Sequence, residues 1–491
     1  MDLTYQCYRD SSKIWLSALK KQEEQLKYTV KLMEKSIQFQ MTYNKKEKIY
    51  QLIRGQERFF FQNVKNQVLL LDGEGKVEAY YKCIRDNVIF GGVELLPLLF
   101  EVTIQFYIQE GDGEFSFFNP LRWRDELAII QRTGELALVD EQVEIYFINL
   151  KKMGFNIVYH PEKGVLYALD PFSLIEVRCN KIDYQYLKSL LKDKFRISLS
   201  NNLKDIFIRT GKRTGRLVIP SERTQEKNHG VLLVSGSGYL DCDGNAGELL
   251  WDTLKELAYH LGEHNIISFR YDDRAGGPDV GIAELYEDAE EAYLFLLEHP
   301  FVDADNVTVI GHSQGAILAA MLAGFYSEIK KLIILSPQGK PTYEFLFEQY
   351  DSFYAEQSQE KRVQLEEFYQ ILKGTKKMNP ENIYCKRYQG EWKRYQELVN
   401  LDLLQIYRKV ASQIYFLHGE NDFQVPPEHS SILADALQNK TGKIARRLFP
   451  YLDHFFMKVQ LQDIGDYANY QRRMADELKK EITRIILFEE I

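Results

Sequence analysis

The stretch "VTVIGHSQGAILAAMLAG", residues 307–324, holds two apolar runs separated by a small polar turn. Val307 to Ile310 are mostly β-branched and read as a short buried strand. Ala316 to Ala323 are small and aliphatic and read as a helix able to pack close to a sheet. Between them, Gly311, His312, Ser313, Gln314 and Gly315 spell G-x-S-x-G. A turn tight enough to pass a strand directly into a helix leaves no room for a Cβ on either side, which accounts for both glycines. The serine between them is forced into a strained backbone conformation. Its hydroxyl then stands above the sheet edge, with a helix N-terminus behind it that favours developing negative charge. The pattern predicts a nucleophile elbow at Ser313, with His312 packing rather than reacting. Five residues also match by chance in an ordinary Gly-rich loop, so the surroundings must decide.

From about residue 205 the chain alternates strand, loop and helix. "RTGRLVIP", "GVLLVSGSG", "NIISFRYDD", "KKLIILSP", "SQIYFLHGEND" and "KIARRLFP" read as strands. "LLWDTLKELAYHLGEH", "GIAELYEDAEEAYLFLLEH" and "PPEHSSILADALQ" read as helices, and the chain closes in a helix from about Gly465. Apolar strands alternating with helices imply an α/β, mostly parallel, doubly wound sheet covered on both faces. Sites in such sheets lie outside the carboxyl ends of the strands, where Ser313 falls. Residues 338–412 interrupt the rhythm, are rich in Tyr, Glu, Lys and Gln, and read as several helices. They predict a helical cap insert whose aromatics (Tyr343, Phe345, Phe347, Tyr350, Phe353, Tyr354 and Phe368) wall an acyl pocket, the competing reading being a packing or dimerisation surface.

Residues 1–200 read as a separate α+β domain. Residues 12–40 look helical and amphipathic, "NQVLLLDGEGKVEAYYKCI" looks like a hairpin turning at Asp72 to Gly75, and "EVTIQFYIQEGDGEFSFF" like a second turning at Gly111 to Gly113. "EQVEIYFINL" and "FNIVYHPEKGVLYALD" add further strand and turn. No chemistry and no repeat is legible there. The domains expected are therefore 1–200, of unknown role, and 205–491, carrying the insert 338–412.

With 491 residues the chain has room for two or three domains. A net charge of −9 offers no basic footprint for nucleic acid or an anionic membrane. The most apolar segment, "VELLPLLFEVTIQF", is too short and too interrupted by Glu94, Pro97 and Glu101 to span a bilayer. The five cysteines, Cys7, Cys83, Cys179, Cys242 and Cys385, are far apart and show no C-x-x-C spacing. That pattern fits a reducing compartment, and "MDLTYQCYRD" carries no basic n-region followed by an apolar stretch, so a cytoplasmic protein is expected.

A serine nucleophile needs a base, and the base an orienting acid, in the chain order Ser, acid, His for such a sheet. "IYFLHGENDFQVP" places Asp422 just after a strand end, and "LFPYLDHFF" places His454 just after the last strand. Both fall at the edge that carries Ser313. His418 and His429 compete as bases but read as structural or surface residues. Glu420 lies two residues early, and Asp453 adjoins the histidine too closely to reach its Nδ1. An oxyanion hole needs two backbone N–H donors, for which Gln314 and Ser237 in "SGSGYLDCDGN" are the candidates. The same loop is a poor dinucleotide fingerprint, since Asp241 stands where a third glycine is needed. It is a poor calcium loop too, since Ala246 takes the turn glycine's place after Asp241, Asp243 and Asn245. The site calls for no cofactor and no metal.

Together, "GVLLVSGSGYLDCDGN", "ISFRYDDRAGG", "VTVIGHSQGAILAA", "IYFLHGENDFQVP" and "LFPYLDHFF" resemble the bacterial α/β-hydrolase serine esterases whose first loop reads S/H-G-S-G-P-x-D-R-D-G. The serine aminopeptidase and dienelactone hydrolase branches are relatives. The resemblance covers about 205–491. It implies an α/β-hydrolase fold with Ser313 as nucleophile, Asp422 as acid, His454 as base and Ser237 and Gln314 at the oxyanion hole. It also implies that Asp272 and Arg274 are structural anchors. Tyr239 stands where that family has Pro, Cys242 where it often has Arg, and Ala275 where it has Gly. The expected activity is hydrolysis of small carboxylic esters through an acyl-enzyme. A peptidase, thioesterase or acyltransferase on the same fold stands as the alternative, and so does a non-enzymatic ligand-binding or effector protein using a hydrolase scaffold.

Overall fold

The computed structural model describes residues 2–488 except 10–11, 22–24, 33–37, 45–48, 55–56, 65–66, 72–76, 83–87, 91–98, 101–102, 105–106, 109–112, 120–123, 139–140, 151, 180–181, 212, 223–225, 239, 275–276, 355–358 and 439–442. Two compact units emerge. One comprises Met1–Arg196 with Gly247–Leu250 and Asp463–Gln471; the other comprises Ile197–Ala246, Trp251–Gln462 and Arg472–Ile491.

The first unit is built on one fifteen-stranded sheet. Its strands are β1 (Asp2–Arg9), β2 (Ser12–Lys21), β3 (Gln25–Leu32), β4 (Gln38–Asn44), β5 (Ile49–Arg54), β6 (Glu57–Val64), β7 (Gln67–Leu71), β8 (Val77–Lys82), β9 (Val88–Phe90), β10 (Gly113–Asn119), β11 (Arg124–Ala137), β12 (Gln142–Asn149), β13 (Gly154–His160), β14 (Gly164–Asp170) and β15 (Ile175–Cys179). They lie in the order β8 to β1, then β15 down to β9. β1 meets β15 antiparallel, Tyr5 opposite Cys179, while β9 and β10 run parallel.

The described residues within 12–40 are thus strands, not the expected amphipathic helix. The reason is period two: Leu26, Tyr28, Val30 and Leu32 alternate with Lys27, Thr29 and Lys31, and Phe39, Met41 and Tyr43 repeat the pattern. The hairpin of β7 and β8 forms as expected, its turn at 72–76 lying outside the described residues. The second expected hairpin does not form. Residues 99–100, 103–104 and 107–108 are helical, and Leu99, Phe100, Thr103 and Ile104 are buried at helical spacing, with Phe100 5.0 Å from Phe155. The longest described helix of the unit is Tyr184–Phe195. Asp183 caps it by accepting from the Gln185 and Tyr186 N–H groups, and Leu187, Leu191 and Phe195 bury one face against β11–β14.

The second unit carries an eight-stranded sheet: β16 (Leu203–Thr210), β17 (Arg213–Pro220), β18 (Asn228–Val234), β19 (Ile267–Tyr271), β20 (Val302–His312), β21 (Lys331–Leu335), β22 (Gln413–Gly419) and β23 (Ile444–Phe449). The order is β16-β17-β19-β18-β20-β21-β22-β23. β16, β17 and β19 pair antiparallel, and every pair from β19 to β23 is parallel. Residues of the central strands alternate between two cores. Leu232, Val309, Leu332, Ile334, Ile414 and Phe416 face one side, with the helices Ile282–Glu298 and Gly315–Phe325. Val231, Leu233, Ile310, Ile333, Tyr415 and Leu417 face the other, with the helices Thr253–Glu263 and Asp476–Leu487. The closing helix starts at Asp476; Ile464–Ala468, near its expected start, is a 3-10 turn of the first unit.

Between β21 and β22 the insert is helical, with helices Thr342–Tyr354, Gln359–Leu372, Ile383–Arg387, Trp392–Leu398 and Leu403–Lys409. Its aromatics are divided. Phe368 is fully buried with Tyr384, Tyr388, Trp392 and Tyr395 in a core of the insert's own, so it is not the pocket wall expected of it. Tyr343 stacks on Tyr369, with Phe347 at its edge, and Phe345 meets His429. The side chains of Tyr350, Phe353 and Tyr354 lie outside the described residues. Leu403, Tyr407 and Val410 join the core around the helix Gly315–Phe325.

Candidate active site

β20 ends at His312 and the following helix begins at Gly315. Of the two residues between them, Ser313 and Gln314, Ser313 has φ 54°, in the left-handed region that costs a side chain energy. Its N–H donates to Leu335 O at 2.9 Å, fixing the turn to the end of β21. A Cβ at Gly311 would meet Gly315 O at 2.5 Å and Ala319 Cβ at 2.7 Å. One at Gly315 would meet Val234 O at 2.6 Å and Ser235 O closer still. Gly311 is therefore required by the start of the following helix and Gly315 by backbone at the end of β18, which cannot yield as a flexible side chain would. Gly315→Val is expected to destabilise the protein by about 3 kcal/mol or more, read by denaturant unfolding. A loss below about 1 kcal/mol would show that the turn can open.

The loop after β18 lies against the turn. A Cβ at Gly236 would stand 3.2 Å from Ser313 Cβ. Ser237 follows and is exposed, Tyr239 lies outside the described residues, and Gln314 sits at the start of the helix, where N–H groups have no acceptor within the helix itself. Asp273 braces this loop at both ends: its Oδ1 accepts from Ser235 Oγ at 2.7 Å and its Oδ2 from Leu240 N–H at 3.1 Å. Next to it, Asp272 accepts from Cys242 N–H at 2.9 Å, and Arg274 pairs with Asp288 through two bonds; Ala275 lies outside the described residues.

Desolvation pushes the Asp273 carboxyl up to about 6, against the hydrogen bonds from Ser235 and Leu240. An unfolded aspartate titrates near ~3.9. Between those values the folded chain holds a proton that the unfolded chain has released, so this residue costs stability as pH rises from about 4 to 6. Asp273→Asn keeps both contacts without the charge. Its stability relative to wild type is expected to improve by up to about 3 kcal/mol across that window and then level off. Unfolding curves of the two proteins that run parallel from pH 4 to 7 would refute this.

Asp422 follows β22 and His454 follows β23. His454 Nδ1 and Asp422 Oδ2 are 2.7 Å apart. The other carboxylate oxygen accepts from Gln424 N–H at 2.9 Å and Val425 N–H at 2.8 Å. Both side chains are buried. Burial opposes ionisation of Asp422, but His454 and the bonds from His418 and His454 outweigh it and hold the carboxyl well below its usual range. His312 Nε2 lies 2.8 Å from His454 O, and Ser336 Oγ donates to the same carbonyl at 3.3 Å. Burial, and then the neighbouring His454, push His312 down to about 3, so it stays neutral and donates to that carbonyl. Phe455 packs edge-on to His454 and stacks on Trp251 at 4.3 Å, an aromatic surface beside the imidazole.

The rival candidates are occupied elsewhere. Asp453 is buried, pairs with Arg472 and accepts from Phe455 and Met457 N–H groups. His429 accepts from Gly339 N–H and bonds Glu348 at 2.7 Å. His418 is different: its Nε2 lies 3.2 Å from Asp422 Oδ2, a contact the sequence reading overlooked. The signal available was its place four residues before Asp422, across one turn.

The sheet order, the turn at Ser313 and the loops after β22 and β23 define an α/β-hydrolase fold. Residues 282–479 match the model of the prolyl oligopeptidase family, a family of serine hydrolases. A curated relative, polyketide transferase af380 of Aspergillus fumigatus, is 30% identical over 91 residues, which is 17% of this chain and 31% of the relative. The chain thus matches about a third of that relative's length. Among solved structures, a hypothetical protein of Pseudomonas aeruginosa has a TM-score of 0.40 at 13% identity, covering 59% of this chain and 95% of that one. Est1E from Butyrivibrio proteoclasticus has a TM-score of 0.36 at 16% identity, covering 57% of this chain and 95% of that one. Among the described residues no helix is long and apolar enough to cross a membrane.

Proposed function

We propose that the protein is a serine hydrolase that cleaves carboxylic esters of small molecules through an acyl-enzyme. Ser313 Oγ attacks the ester carbonyl carbon while His454 takes the hydroxyl proton, and Asp422 fixes the imidazole with its proton on Nδ1. Backbone N–H groups at Gln314 and Ser237 hold the oxyanion. His454 then returns the proton to the leaving alkoxide, and water repeats the sequence to release the acid. The observation that carries this reading is the conjunction of a left-handed serine between two sterically required glycines with a buried Asp422–His454 bond of 2.7 Å. No step needs a metal or cofactor. A peptidase is the second reading, favoured by the match to the prolyl oligopeptidase family over 282–479. Acyl transfer to an acceptor other than water is a third, suggested by the transferase relative. The insert 338–412 is proposed as the cap that shapes the acyl pocket, and residues 205–491 as the catalytic domain, working in the cytoplasm.

A fluorophosphonate probe tests the reading, because only an activated serine is labelled. Labelling of wild type and not of Ser313→Ala is expected. An unlabelled wild type overturns it in favour of a binding protein on a hydrolase scaffold. A panel of acyl esters and aminoacyl amides then separates esterase from peptidase.

A further inference from the structure

We propose that His418 is a positioning residue for Asp422, and through it for His454. The inference deepens the reading above and rests on it. His418 is the penultimate residue of β22, just before Gly419, and is wholly buried. Its Nε2 faces two acceptors, Asp422 Oδ2 at 3.2 Å and Val425 O at 2.9 Å. Acceptors on both bonds require a hydrogen, so the ring carries its proton on Nε2 and shares it between them. The Nδ1 lone pair is then buried with no hydrogen-bond partner. A side chain kept for packing alone would not leave a bare polar atom in the interior. The imidazole is retained for its Nε2–H.

That N–H completes the carboxylate. Asp422 Oδ1 is held by the N–H groups of Gln424 and Val425, and Oδ2 by His454 Nδ1 and His418 Nε2. Four donors fill the four lone-pair directions of an ionised carboxylate. With His418 in place the group cannot rotate about χ2 without breaking two bonds on each oxygen. Without it, Oδ2 is tethered only by the imidazole it is meant to orient. The link to Val425 O also ties the loop carrying Asp422 back to the end of β22. The loop carrying His454 presses on the same strand end, where a Cβ at Gly419 would meet Asp453 O at 2.5 Å.

The test compares three variants of the full chain. Gln places an N–H where His has Nε2, Asn places it only where His has Nδ1, and Leu removes it. His418→Leu and His418→Asn are expected to lower kcat about tenfold with KM unchanged, and His418→Gln to restore most of it. A second readout needs no turnover: the downfield proton resonance of the His454 Nδ1–H, identified by its loss in His454→Gln. It is expected to be sharp in wild type and His418→Gln, and broadened by exchange with water in His418→Asn and His418→Leu. Should the wild type lack serine reactivity while the resonance follows this pattern, the functional reading fails and the positioning role stands. A resonance absent from wild type, or one as sharp in His418→Asn and His418→Leu as in wild type, overturns the positioning role whatever the stability of the variants. If His418→Leu does not fold, the Gln and Asn variants decide alone.

Discussion

Ser313→Ala is expected to abolish hydrolysis of activated short-chain esters, lowering kcat by about 10⁵-fold or more while leaving the fold intact. The fold should survive because the tightness of the turn is imposed by Gly311 and Gly315 against backbone, and the Ser313 N–H bond to Leu335 O is independent of the side chain. The left-handed φ of 54° disfavours alanine no more than serine. Unfolding midpoints of variant and wild type should therefore agree within the range for a surface substitution, about 0.5 kcal/mol. Residual turnover above a few per cent would mean that another group attacks the ester.

The parts of the molecule legible in the sequence were those whose cause is local. The elbow is five consecutive residues with a steric reason for each glycine, and the pairing of Asp422 with His454 at 2.7 Å was legible because each follows a strand that ends at the same sheet edge. The central strands were legible because alternating burial on two faces makes them continuously apolar, as in "KLIIL". β16 was not read at all. Its "LKDIFIRT" sits at the sheet edge and much of it is exposed, so its apolar run is only Ile206 to Ile208, set among charged residues. In the first unit the periods were misassigned in both directions. Strands β2 and β3 carry enough Lys and Leu to suggest an amphipathic helix, while the helical spacing of Phe100, Thr103 and Ile104 is hidden among β-branched and aromatic neighbours. His418 reads as structural in the sequence because its one signal, a place four residues before Asp422, does not show that the intervening turn brings its Nε2 to Asp422 Oδ2.

The same carboxylate network makes Asp422→Asn strongly damaging as well, somewhat less so than loss of Ser313 or His454. The amide oxygen can face either the Gln424 and Val425 N–H groups or the two imidazoles, but not both. Facing the two backbone donors, at 2.9 and 2.8 Å, is the cheaper choice because they cannot turn away. The amide NH₂ then points at His454 Nδ1 and His418 Nε2. His454 must accept there, which moves its proton to Nε2, the nitrogen that has to take the serine's proton in the proposed mechanism. His418 presents a second N–H to the same NH₂, a donor against a donor. Loss of the correct tautomer is expected to lower kcat by about 10⁴-fold at neutral pH with little change in KM. The donor clash adds a stability loss of about 1–3 kcal/mol, the cost of a buried polar group left unpaired. Because that clash involves His418, Asp422→Asn combined with His418→Leu should recover part of the stability and none of the activity, a pattern measurable by paired unfolding and ester assays. If Asp422→Asn keeps activity within tenfold of wild type, the acid lies elsewhere, and the Asp422–His454 bond is structural.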